Sequence, residues 1–253
     1  MERSNINYYT IDNFPYDILS SVKVLKRKRG IKSKVDYYDI VTAFDIETSN
    51  IDSVEQAVMY IWQWQITDEI TVIGRKWSEF ISFYSKLNEI LNEAYIVVLV
   101  HNLSFEWQWL KSLIPVDFIF PMDDRKVLYF RSNNLEFRCT YIHSNMKLEK
   151  YIEKMGSPYL KVKDFDYSKK RYYFTPLTDE ELEYCIMDVK GLRDAYIRQM
   201  TRDNDDLYTI AYTSTGYVRK PSKEALRPYR NSIKKMLPNE EVFHGLRKAF
   251  RGG

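Results

Sequence analysis

The apolar positions of this chain switch repeatedly between a period of two and a period near 3.6. Tyr37-Tyr38-Asp39-Ile40-Val41-Thr42-Ala43-Phe44 is β-branched and aromatic, which predicts a strand aimed at the interior. Ala57–Thr67 alternates, with Tyr60, Trp62 and Trp64 on its apolar positions, and predicts a second strand; Glu69–Arg75 predicts a third. With a turn at Asn50-Ile51-Asp52, these make an antiparallel meander. Ser78–Ala94 carries Phe80, Ile81, Phe83, Leu87, Ile90 and Leu91 at helical spacing, and it leads into the continuous apolar run Tyr95–Val100. Such a run after a helix predicts a strand buried on both faces. A helix over Ser104–Leu113 follows. Arg125–Phe130 and Leu135–Ile142 predict another antiparallel pair around Ser132-Asn133-Asn134, and Leu148–Met155 predicts a short helix stopped by Gly156. Thr178, with Glu181 three residues on, has the form of a capping box and predicts a long helix running through Asp188 towards Met200. Tyr8–Ile11 and Ile18–Leu25 read as short strands or an arm. There is no internal repeat.

A hydrophobic share of 45% over 253 residues supports a sizeable core. No run of eighteen apolar residues exists and Met1-Glu2-Arg3-Ser4 opens no hydrophobic signal, so no membrane partner and a cytoplasmic location are expected. Cys139 and Cys185 are too few for a disulfide framework, lack a zinc spacing, and read as half-buried thiols. The net charge of +3 is uneven. From Gly216 to Gly253 ten Lys and Arg oppose only Glu224, Glu240 and Glu241, which is +7 and leaves −4 for the preceding 215 residues. A second basic run, Lys23 to Lys34, precedes the first strand. Either run could be a solvated face, but both flank acidic positions where an anionic polymer would need cations.

The acidic positions carry the chemistry. Asp45 and Glu47 are two apart at the end of an apolar strand and so share a face. Two carboxylates held together repel unless a cation lies between them; alternatively they mark where the strand emerges into solvent. His101–Glu106 falls at a strand-to-helix junction, where Glu106 is either a ligand or merely a first-turn helix acid. Tyr184 and Asp188, four apart, share a helix face.

Asp45-Ile46-Glu47-Thr48, Asn102-Leu103-Ser104-Phe105-Glu106 and Tyr184-Cys185-Ile186-Met187-Asp188 read as D-x-E-T, N-x-x-F-E and Y-x-x-x-D. In that order they resemble the three motifs of the DEDD 3′–5′ exonucleases, tyrosine subtype, although Glu106 stands where Asp is the common family residue. Lys161-Val162-Lys163-Asp164-Phe165-Asp166-Tyr167 resembles the lysine segment of the protein-primed family B DNA polymerases of phages, Ser144 falls where that group has a single-strand-binding Ser or Thr, and Phe250-Arg251-Gly252-Gly253 is similar to its Y-x-G-G segment.

The resemblance implies an α/β, ribonuclease H-like mixed sheet with flanking helices, the DnaQ-like exonuclease fold. It implies an N-terminal extension over 1–36, an exonuclease domain over 37–205 and a basic segment over 206–253 that leads towards a polymerase domain absent from this chain. Two Mg²⁺ or Mn²⁺ ions would be held by Asp45, Glu47, Glu106 and Asp188, such pairs lying about 3.5–4 Å apart, with Asp45 shared. Tyr184 would order the attacking water, and Lys163, or failing that Lys161, would assist the phosphate. Thr48, Asn102, Phe105, Ser144, Tyr167, Arg251 and Gly252 would contact DNA. The expectation is a proofreading 3′–5′ exonuclease acting on single-stranded DNA ends, monomeric, a phage protein of the bacterial cytoplasm, with the remaining polymerase domains or a terminal protein as further partners. An exoribonuclease and a catalytically idle DNA-binding module are the alternatives.

Overall fold

The structure is a computed structural model and describes residues 7–51, 56–123, 126–160, 165–236 and 238–249. Its framework is a seven-stranded sheet built from β1 (Tyr37–Ile51), β2 (Gln56–Gln65), β3 (Thr71–Gly74), β4 (Tyr95–Val100), β5 (Phe118–Asp123), β6 (Lys126–Ser132) and β7 (Leu135–Cys139), in the order β3-β2-β1-β4-β7-β6-β5. β4 runs parallel to β1 and to β7, and the other neighbours are antiparallel. The helices are α1 (Trp77–Ile90), α2 (Ser104–Leu110), α3 (Thr140–Ser144), α4 (Leu148–Lys154), α5 (Asp179–Arg202), α6 (Ser214–Leu226), α7 (Arg230–Met236) and α8 (Glu240–Ala249).

The strand period sorts side chains onto two faces. Phe44, Ile46, Trp62, Trp64, Ile96 and Val98 point into an aromatic core shared with Phe80 and Phe83 of α1. Val41, Ala43, Val97 and Leu99 point the other way, against Val189, Leu192 and Tyr196 of α5. α5 starts as its sequence predicts: the Thr178 hydroxyl accepts the Glu181 N–H at 3.3 Å, and Glu181 accepts the Thr178 N–H at 2.8 Å. The mixed sheet with flanking helices is the expected fold class.

Three local expectations are corrected, and one strand is added. The strand predicted over Leu135–Ile142 ends at Cys139, and α3 takes over: Thr140 donates to the Val100 carbonyl, while the His143 ring bonds to the Ala211 carbonyl and to Gln199. Those tertiary hydrogen bonds outweigh the β preference of Thr and Ile. β1 runs on to Ile51, paired with Gln56, so no turn forms at Asn50-Ile51; Asp52 lies outside the described residues. β5 was not anticipated, because Pro121 interrupts its pattern; the proline is tolerated on this edge strand at a shift of register. Both thiols are buried rather than half-buried.

The N-terminal residues join the same body. Phe14 and Leu19 enter the aromatic core, Tyr9 bridges to Val72 and Val24 to Tyr38. The chain divides into two compact units, Met1–Ser214 and Thr215–Gly253. The described residues of the second unit, which lies within the basic segment read over 206–253, fall mostly in α6, α7 and α8. Among the described residues no helix is long and apolar enough to cross a membrane.

Candidate active site

Asp45 and Glu47 leave β1 on the face that α5 covers, because their neighbours Phe44 and Ile46 are committed to the aromatic core. Opposite them β2 fits in one extra residue: Glu47 pairs with Ile61 but Thr48 with Met59. Such a bulge bends the strand and re-aims the side chains beyond it. Tyr184 and Asp188, one turn apart on α5, both lie buried over this strand end. One carboxylate oxygen from each of Asp45, Glu47 and Asp188 comes within 4.8 Å of the others.

The fourth acid arrives from the junction between β4 and α2. Asn102 takes a left-handed φ of 66°, which asparagine tolerates, and its carbonyl accepts the Phe105 N–H at 2.9 Å. The chain thereby turns from strand into helix and puts Glu106 in the first helical turn. Since β1 and β4 are parallel neighbours, this junction sits at the carboxyl end of the sheet, where ligands collect in open α/β folds. Glu106 is only 3% exposed, so it is not a solvated helix-start acid. Burial and, after it, the neighbouring Asp45 charge push its carboxyl well above the usual range. Its Oε2 is buried with no hydrogen-bond partner among the described residues. A crowded set of hard oxygen donors with a buried, unsatisfied carboxylate oxygen fits a divalent cation such as Mg²⁺ or Mn²⁺.

Tyr184 is packed on Phe165, ring centroids 4.1 Å apart, and its hydroxyl lies 2.6 Å from that of Tyr167. Burial, reinforced by the charges of Asp188 and Glu47, raises its phenol far above the ordinary value, so Tyr184 keeps its proton and serves as a hydrogen-bonding group. Tyr167 is itself 70% exposed and Phe105 41%, which leaves both rings open to a partner. Thr48 follows the bulge and is half-buried, and Asn102 is exposed. The Ser144 hydroxyl accepts the Met146 N–H, just past the end of α3. Lys161, Lys163, Phe250, Arg251 and Gly252 lie outside the described residues.

Two further side chains, one touching this site and one packed behind it, have no clear signal in the sequence. Gln63, opposite Asp45 in the β1–β2 ladder, donates to Asp45 Oδ2 at 3.0 Å. The only signal was a glutamine between Trp62 and Trp64 at a position that the alternation turns inward. Arg171 packs over Phe165, a contact with no signature in the sequence.

Sheet order, carboxylate placement and strand-to-helix junction define a nuclease-type α/β domain, and comparison with known families agrees. The chain belongs to the 3′-5′ exonuclease family, whose model matches residues 23–200. In structure it is similar to phi29 DNA polymerase complexed with single-stranded DNA and to the same polymerase complexed with primer-template DNA, in each case with a TM-score of 0.62 and 17% identity. The match covers 85% of this chain and 40% of each of those chains. At that identity the likeness is one of fold. No curated protein matches the chain in sequence.

Proposed function

We propose that this chain is a metal-dependent 3′–5′ exodeoxyribonuclease that removes 3′-terminal nucleotides from single-stranded DNA, the proofreading part of a protein-primed type of family B polymerase. The observation that carries this reading is the meeting of Asp45, Glu47 and Asp188, with buried Glu106 beside Asp45, at the carboxyl end of the sheet. Asp45, Glu47, Glu106 and Asp188 would hold the divalent ions. When bound, such a pair of ions supplies an activated water and charge stabilisation for the departing 3′ oxygen. Tyr184 orients the water through its hydroxyl, and Tyr167, joined to it, borders the terminal phosphate. Phe105 and Asn102, at the open start of α2, receive the terminal bases by stacking and hydrogen bonding, and Thr48 meets the last nucleotide. Lys163, or failing that Lys161, assists the phosphate, and Ser144, Arg251 and Gly252 contact DNA. The solved complexes of phi29 polymerase with single-stranded and primer-template DNA support a DNA substrate over RNA.

The test is incubation of a 5′-labelled single-stranded DNA oligonucleotide with the protein and Mg²⁺ or Mn²⁺. A ladder that shortens from the 3′ end, and is lost with EDTA and in Asp45→Ala/Glu47→Ala, supports the reading. Intact DNA that the folded protein nonetheless binds would favour an idle binding module, and cleavage only of a ribose-containing strand would favour an exoribonuclease.

A further inference from the structure

Tyr184 is supported from outside its own helix. Phe165 covers its ring at an interplanar angle of 26°, and the Arg171 guanidinium lies 4.5 Å from the centroid of the Phe165 ring. Arg171 is 2% exposed, and its hydrogen bonds reach several segments of the chain. Nε and Nη2 donate to Glu181 Oε1 at 2.9 and 2.8 Å. Nη1 donates to the carbonyls of Asp166 and Lys169 at 2.8 and 2.9 Å, and the backbone N–H donates to Ser49 Oγ at 2.9 Å. Glu181 stands three residues before Tyr184 in the first turn of α5, and Ser49 two residues after Glu47 in β1. The buried guanidinium therefore ties the loop that bears Tyr167 to the helix that bears Tyr184, and the backbone N–H of the same residue joins that loop to the strand that bears Glu47.

We propose that Arg171 is a positioning residue for the candidate active site: stacked on Phe165 and anchored to Glu181, it fixes the ring of Tyr184 and sets its hydroxyl beside Tyr167. This rests on the exonuclease reading above. The geometry requires arginine specifically. A planar guanidinium can lie flat on an aromatic ring while its fork serves a carboxylate and two carbonyls, whereas the lysine ammonium is a compact point charge that cannot do both. The role also explains the pairing of Arg171 with Glu181: an isolated buried cation is costly, and its partner is placed where it also caps α5.

The experiment measures single-turnover and steady-state removal of the 3′ nucleotide from a 5′-labelled DNA oligonucleotide with Mn²⁺. It compares the full chain with Arg171→Lys and Phe165→Leu, each made in the native and the Tyr184→Phe backgrounds. In the native background, displacing Tyr184 is expected to lower kcat about 10- to 100-fold with KM changed less than about twofold. In the Tyr184→Phe background the further loss should shrink to under about threefold, because the hydroxyl to be positioned is already gone. A purely structural role would instead give the same fractional loss in both backgrounds, and that result, or an unchanged kcat for both variants in the native background, overturns the proposal. Thermal melting shows whether Arg171→Lys is folded at the assay temperature; if it is not, Phe165→Leu, which keeps the Arg171–Glu181 pair, decides the question alone. A native chain that leaves the DNA intact overturns the exonuclease reading itself, and the role of Arg171 with it.

Discussion

Two buried glutamates show how differently one sheet can treat a negative charge. Glu136 on β7 is 0% exposed, yet it is fully provided for. Arg131 reaches it at 2.6 Å, Arg138 at 2.7 Å and the Tyr212 hydroxyl at 2.7 Å, and Tyr37 donates at 3.2 Å. Burial alone would raise its carboxyl, but Arg138, Tyr212 and Arg131 outweigh that and hold it below the usual range. Glu106 is buried almost as deeply, forms no ion pair with an Arg or Lys among the described residues, and sits against the like charge of Asp45, so its carboxyl is driven up. The protein supplies its own cations where a carboxylate is structural. At the carboxyl end of β1 it gathers acids instead, which is how a protein makes room for a cation from solution.

Each side of that contrast can be broken by substitution. The largest effect is expected from Asp45→Ala/Glu47→Ala, where loss of metal-derived charge stabilisation worth several kcal/mol should cut 3′-end cleavage by about 10³-fold or more. Circular dichroism should show the fold retained. Next comes Arg138→Met, which removes the more deeply buried of the two cations around Glu136 and leaves Arg131, Tyr212 and Tyr37 to hold it: a loss of about 1.5–3 kcal/mol in urea denaturation is expected, and Glu136→Leu in the same chain should restore part of it. Glu106→Gln has the opposite sign. It removes a carboxyl crowded against Asp45, so in EDTA the variant should be more stable than the native chain in urea denaturation, while it cleaves DNA more slowly.

A pH-dependent effect concerns Glu181, whose carboxyl Lys169, the Thr178 N–H and Arg171 bring down to about 2 in spite of partial burial. A carboxylate lowered in the folded state stabilises the protein above its unfolded value, roughly 4.3 for Glu, and that contribution fades as pH falls through the folded value. Acid titration between about pH 4.3 and 2 should therefore weaken the native chain more steeply than Glu181→Gln, followed by tryptophan fluorescence. Parallel curves would remove Glu181 from the account.

Much of the site was legible because its residues obey short-range periods. Two residues along a strand put Asp45 and Glu47 on one face, four along a helix put Tyr184 above Asp188, and a continuous apolar strand followed by a helix located Glu106. What could not be read depends on pairing across the fold. Gln63 matters because the β1–β2 register sets it opposite Asp45, and Arg171 matters because its loop folds back over α5. Neither fact has a local signature. The same holds for α3, where hydrogen bonds to Val100, Gln199 and Ala211 displace a β-prone sequence, and for β5, an edge strand that contains a proline.

The most direct test of the central contrast is thermal melting with and without Mn²⁺ for the native chain, Asp45→Asn/Glu106→Gln and Glu136→Leu/Arg138→Met. If the acids at the end of β1 are a cation site, Mn²⁺ at a hundred times its dissociation constant should stabilise the native chain by about 2.7 kcal/mol, seen as a rise of several degrees in Tm. Glu136→Leu/Arg138→Met should gain as much, and Asp45→Asn/Glu106→Gln nothing. A native Tm indifferent to Mn²⁺, or an equal rise in Asp45→Asn/Glu106→Gln, would contradict the account.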